Sequence, residues 1–137
     1  MSDILHFGNR AEFRKWLSEN CSSKDGVWIL FGKTDEINTV SAEEALEEAL
    51  CFGWIDGQMQ RIDDKTYKKY FIMRRAKSNW SEKNKALAIN LEKRGLMTDY
   101  GRAKIEEAKQ NGQWNASKPQ AVTDGQISLL SDILKAF

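Results

Sequence analysis

The order of segments in this 137-residue chain predicts an α+β fold: a small, mainly antiparallel sheet of about three strands, packed by several helices. Three observations carry that expectation. Helix-like and strand-like segments follow one another as α-β-α-β-β-α-α-α, and such a series cannot wind into a long parallel βαβ sheet. Two extended segments flank the polar run Asp63-Asp64-Lys65-Thr66, which is how an antiparallel hairpin is built. Five Trp, six Phe and three Tyr supply enough bulky apolar area for one core, which excludes a globally disordered chain. Residues 1–114 read as the α+β domain, and residues 115–137 as a linker with a C-terminal amphipathic helix.

Each element has a local reason. Asn9, with Glu12 three residues on, is a helix start in which each side chain can satisfy an orphan amide. Phe13, Trp16 and Leu17 then recur at helical spacing, so a helix is expected from Arg10 to about Asn20. The run Val27-Trp28-Ile29-Leu30-Phe31 is uninterrupted and rich in β-branched and aromatic residues, which suits a strand buried on both faces. Ser41 and Glu44 form a second capping box. Ala42, Ala45, Leu46, Ala49 and Leu50 mark one helical face, and Gly53 is placed to end that helix. Trp54 to Ile62 and Tyr67 to Arg74 are the hairpin strands. Ser81 to Arg94 is helical by composition, with Gly95 as terminator. Thr98 caps a helix running through Ala103, Ile105 and Ala108 to Gly112. Pro119 breaks the chain, and Thr123 with Gln126 opens the last helix, apolar at Ile127, Leu130, Ile133, Leu134 and Phe137.

Composition excludes several functions. Lys and Arg number 21 against 20 Asp and Glu, so no bulk basic field draws nucleic acid. The N-terminus has no basic start followed by an apolar run, and Val27 to Phe31 is far shorter than the ~20 residues of a membrane helix. A cytoplasmic protein without membrane insertion is expected, with Cys21 and Cys51 as reduced thiols. A single histidine, His6, excludes multi-histidine metal sites. The absence of CxxC, GxGxxG and GxxxxGK[ST] leaves zinc, dinucleotide and P-loop sites without support, and no cofactor or metal is expected. Cys51 lies among Leu50, Phe52 and Trp54 at a helix C-terminus, a setting that blunts a thiol.

Two segments could carry a site. Leu50-Cys-Phe-Gly-Trp-Ile-Asp-Gly57 turns from helix to strand, with glycines bracketing Trp54 and Asp56. Asp56 there is either a turn-stabilising acceptor or the anchor of a buried arginine or a ligand. Arg74-Arg-Ala-Lys-Ser-Asn-Trp-Ser81 leaves a strand and opens a helix. It is either a solvated basic turn with a core tryptophan, or an anion site using arginine forks, a helix N-terminus and a stacking ring.

These two runs, with Asn84, Gly95-Leu-Met97, Gly101, Glu106, Ala108-Lys109 and Gly112-Gln-Trp114, resemble the YdeI/OmpD-associated family, also called bacteriocin-protection proteins. The resemblance covers about Phe13 to Trp114. Met73 stands where the family usually has proline, and members often continue into a further basic helical segment beyond the position of Phe137. The resemblance implies a bacterial protein linked to bacteriocins, antimicrobial peptides and envelope stress, with no established activity or cofactor. The motif positions that could form a site are Trp54, Asp56, Arg74, Ser78, Trp80 and Asn84. Together they suggest a polar cleft for a small anionic ligand or a protein partner, acting by binding. Two other readings stay open: an enzyme using Asp56 as general base with Arg74 holding an anionic substrate, and a nucleic-acid module using Arg74, Arg75, Lys77 and Trp80. Asp56 and Arg74 are expected within ion-pair reach.

Overall fold

A computed structural model describes residues 4–34 and 36–115; the helix expected over 123–137 lies outside them. The elements are β1 (Ile4–Leu5), α1 (Arg10–Asn20), β2 (Val27–Gly32), α2 (Ala42–Cys51), β3 (Trp54–Arg61), β4 (Thr66–Met73), α3 (Glu82–Lys93) and α4 (Asp99–Gln110), closed by a 3-10 turn at Gln113–Asn115. The fold is α+β, as the segment order predicts. The sheet has four strands in the order β1-β2-β4-β3, with β2, β4 and β3 antiparallel and β1 parallel to β2. The extra strand corrects the three-strand expectation. Two residues have no periodicity to read, and the pairing of Ile4 with Trp28 and Leu5 with Ile29 makes the strand.

Helix starts form where their capping residues stand. Asn9, Ser41, Ser81 and Thr98 each accept a hydrogen bond from the amide three residues on, and Ser41 with Glu44 closes a full capping box. Gly53 follows α2 at φ +78°, a left-handed conformation that turns the chain straight into β3. The hairpin turn is organised by Asp63, whose carboxylate accepts from the Lys65 amide (2.8 Å), the Thr66 amide (2.9 Å) and the Thr66 hydroxyl (2.9 Å).

The core lies between one face of the sheet and the helices. Cross-strand partners share a face. Ile29, Phe31 and Phe71 are buried and point inward, where Phe13 of α1 meets Phe71 edge-on at 5.5 Å. Trp16 of α1 meets Trp54 edge-on at 5.7 Å. On the opposite face Trp28 stands across from Tyr70, and Leu30 across from Lys68. All four are half-buried, with Lys68 Nζ 4.4 Å from the Trp28 ring centre. The apolar run of β2 is therefore buried on one face, not both. Its outward half packs across the strands, which lets a continuous apolar run sit in a sheet closed on one side only.

Two contacts lock the helices together. Glu48 of α2 is buried and pairs with Arg10 at 2.6 Å and Arg14 at 2.9 Å, both on α1. The other terminal nitrogen of Arg14 donates to the Leu96 carbonyl at 2.8 Å. At the far end of α2, the amide of Thr98 donates to the Cys51 carbonyl (3.1 Å) and its hydroxyl does the same (2.5 Å). A Cβ on Gly101 would meet the Cys51 carbonyl oxygen at 2.5 Å and that of Leu50 at 2.8 Å, so only glycine lets α4 approach this closely.

Candidate functional site

Arg74 is the first residue beyond β4, and its amide donates to the Gly53 carbonyl at 2.9 Å. That one backbone bond joins the two segments singled out from the sequence. The Arg74 side chain then turns into the protein and is 2% exposed. Its guanidinium carbon lies 3.8 Å from the centre of the Trp80 ring, and Nη2 donates to the Asn79 carbonyl at 2.9 Å. Nε and Nη1 have no acceptor among the described residues. Burial pulls the guanidinium down to about 10, well below the ordinary arginine range, against the opposing charge of Asp56. A buried cation without a carboxylate contact is costly, and proteins avoid it outside special sites.

Trp80 is itself buried, and its ring packs on Trp114 with centroids 5.0 Å apart. Lys85 of α3, also buried, donates to the Trp114 carbonyl at 3.0 Å. Arg74, Trp80 and Trp114 thus pack in series between the end of β4 and the last described turn, the two indole rings inclined at 50°. Residues 75–79 connect Arg74 to Trp80. Arg75, Ala76, Lys77 and Asn79 are exposed, and Ser78 is half-buried. Two hydrogen bonds hold this turn besides that of Arg74: Ser78 amide to Arg75 carbonyl (3.0 Å), and Asn111 side-chain amide to Ala76 carbonyl (2.7 Å).

The six residues expected to form a site do not converge. Arg74, Ser78 and Trp80 share the segment just described, and Asn84 sits half-buried on the first turn of α3. Trp54 belongs to the core. It is fully buried, and its ring nitrogen donates to the Cys21 carbonyl at 2.9 Å, toward the end of α1. Asp56 takes Lys69 as its partner at 3.3 Å, so the expected ion pair with Arg74 is not formed. The reason is register. Asp56 stands opposite Phe71, which places Lys69 diagonally across the ladder, while the Arg74 chain folds away onto Trp80. The nucleic-acid set is divided too: Arg74 and Trp80 are buried, leaving Arg75 and Lys77 at the surface.

Trp114, Lys85 and Asn111 were missed by sequence reasoning. A signal existed for Lys85: it shares a helical face with Ala88 and Leu91, so a lysine falls on the buried stripe. Trp114 and Asn111 reach the site from 30 or more residues away, which no local pattern shows.

The thiols lie elsewhere. Cys21 and Cys51 are both free and buried. Burial pushes the Cys51 thiol up to about 11, opposed by the nearby Arg14. Cys21 lines a depression of about 210 Å³ with Phe52, Met73, Tyr100 and Lys104. A second depression, about 270 Å³, is polar and runs along Gly32 to Ser41. Among the described residues no cluster of His, Cys, Asp and Glu could hold a metal, and no helix is long and apolar enough to cross a membrane.

A family model spans residues 5–104 and takes in every one of the six expected site residues. The chain belongs to the family defined as a domain of unknown function, DUF8412. No curated protein and no solved structure matches it. The DUF8412 match ends before Trp114, so the series that begins at Arg74 is completed from outside the matched span.

Proposed function

We propose that this protein acts by binding a small anion at Arg74, in the bacterial cytoplasm, as a protein of the YdeI/OmpD-associated, bacteriocin-protection type. One observation carries the anion reading. The Arg74 guanidinium is 2% exposed, and two of its nitrogens have no acceptor among the described residues. A guanidinium presents two forks, Nε with Nη2 and Nη1 with Nη2; Asn79 takes one of the two Nη2 hydrogens, which leaves one fork for a carboxylate or phosphate group. Binding is favoured over catalysis because Asp56, the candidate base, is engaged by Lys69 instead of facing Arg74.

The test is an anion screen read by thermal unfolding, run on the wild type and on Arg74→Met. Alanine is the poorer choice, because Arg74 is packed against Trp80 and truncation would open a cavity. Anything that binds only the folded state raises its stability, by about 2.7 kcal/mol at a hundred times its Kd. An anion should stabilise the wild type and leave Arg74→Met unmoved. Equal stabilisation of both would remove Arg74 from the site.

A further inference from the structure

We infer that the anion is a phosphate group, held by Arg74 and the turn of residues 75–79 that opens α3. The inference rests on the reading of Arg74 above and names the class of ligand. From Lys65 to Ser81 the chain carries Lys65, Lys68, Lys69, Arg74, Arg75 and Lys77 and no acidic residue. Lys65 and Lys69 are matched, by Glu36 at 3.1 Å and Asp56 at 3.3 Å, and Lys68 lies on Trp28. Arg74, Arg75 and Lys77 have no carboxylate partner among the described residues. Arg74 is buried and Arg75 and Lys77 are exposed on the turn beside it, so they need not touch one ligand atom for their summed charge to favour a dianion over a monoanion.

The place in the fold points the same way. Arg74 Nη2 is bonded to the carbonyl of Asn79, two residues before Ser81, the cap of the twelve-residue helix α3. The guanidinium thus contacts the segment that leads into a helix N-terminus, whose partial positive charge also favours phosphate groups. The one acid on that first turn, Glu82, pairs with Lys85 at 2.8 Å. Ser78 and Asn79 add neutral donors of the kind phosphate oxygens take. The guanidinium is buried, so binding needs a local opening; the turn of residues 75–79 is exposed and is tied to the end of α4 by the bond from Asn111 to the Ala76 carbonyl.

Calorimetric titration of the full chain with inorganic phosphate, and separately with acetate at matched ionic strength, decides the matter. Three forms are compared: wild type, Arg74→Met, and the double variant Arg75→Ala with Lys77→Ala. Phosphate should bind the wild type at least about tenfold more tightly than acetate. It should bind the double variant about tenfold more weakly, with the melting temperature of the unliganded protein unchanged, and Arg74→Met not at all. The double variant alters only exposed side chains, so its result stands even if Arg74→Met fails to fold. Acetate binding as tightly as phosphate, with the double variant unaffected, overturns the phosphate assignment and leaves the anion site standing. Absence of binding by both anions, or full phosphate affinity in Arg74→Met, overturns both.

Discussion

Arg74 is the side chain whose surroundings depart furthest from what its chemistry prefers. Its folded-state value, about 10, lies below its unfolded one, so the fold disfavours the charged form. That penalty applies fully below about pH 10 and is relieved as pH rises from there; at neutral pH it amounts to about 3 kcal/mol. The contact with Trp80 and the bond to Asn79 return about as much. Arg74→Met should therefore unfold in denaturant within about 1 kcal/mol of the wild type, or above it. Trp80→Ala, which removes a buried ring, should lose about 3–5 kcal/mol. A methionine variant less stable by more than that margin would mean that the guanidinium is a structural tie. Asp56 is the opposite case. Its partner Lys69 is 22% exposed, so Asp56→Ala should cost about 1 kcal/mol or less, well under the loss a buried Asp56–Arg74 pair would have implied. Among the thiols, Cys51 is fully buried with its ionisation pushed up to about 11, whereas Cys21 borders a surface depression. Native alkylation at pH 8 should modify Cys21 first, and unfolded, unreduced protein should give both thiols. Faster labelling of Cys51 would contradict its placement.

Between elements, the strongest tie is Glu48 held by Arg10 and Arg14. The arginines are about one-third exposed, so screening tempers the pair, yet Glu48→Ala takes from Arg14 its one carboxylate among the described residues and leaves Arg10 to Glu47 at 2.8 Å. A loss of about 2 kcal/mol or more is expected in chemical denaturation, and Glu48→Gln should recover part of it. In the hairpin turn, three donors hold the Asp63 carboxylate below its ordinary 3.8. A depressed acid stabilises the fold fully above its unfolded value and loses that contribution as pH falls from there through its lower folded value. The stability of the wild type should thus drop more steeply below about pH 4 than that of Asp63→Asn, as read by acid unfolding. Identical acid profiles would remove Asp63 from the turn's stability. Helix caps were legible because a cap is a local device: Asn9, Ser41 and Thr98 each announce a start within four residues. The Arg10–Glu48 tie was not, since its partners lie 38 residues apart on two amphipathic helices whose polar faces look ordinary. The strand β1 escaped for the reverse reason, being too short to have a pattern of its own.

At the scale of the molecule, one face of the sheet meets the helices and the other keeps Trp28, Tyr70 and Lys68 to itself. Acrylamide should quench Trp28 emission readily and Trp54 hardly at all, so Trp28→Phe should lower the quenchable fraction and Trp54→Phe should not. The α+β class was legible because strand and helix segments alternate in an order that few architectures accept. Half of the candidate site was legible too: Arg74 and Trp80 are close in sequence and close in space. The remainder came from the tertiary meeting of Trp114 and Asn111 with that turn, and from a register that gives Asp56 to Lys69. The sheet's two borders have a consequence for behaviour in concentrated solution. An open strand border recruits further chains through its unpaired amides and carbonyls. Here β1 shields part of β2, and the register shift between Asp56 and Met59 breaks the regular ladder of β3. A neighbouring chain seeking to extend the sheet finds one border partly occupied and the other out of step, which opposes fibre-like growth without any added charge or cap.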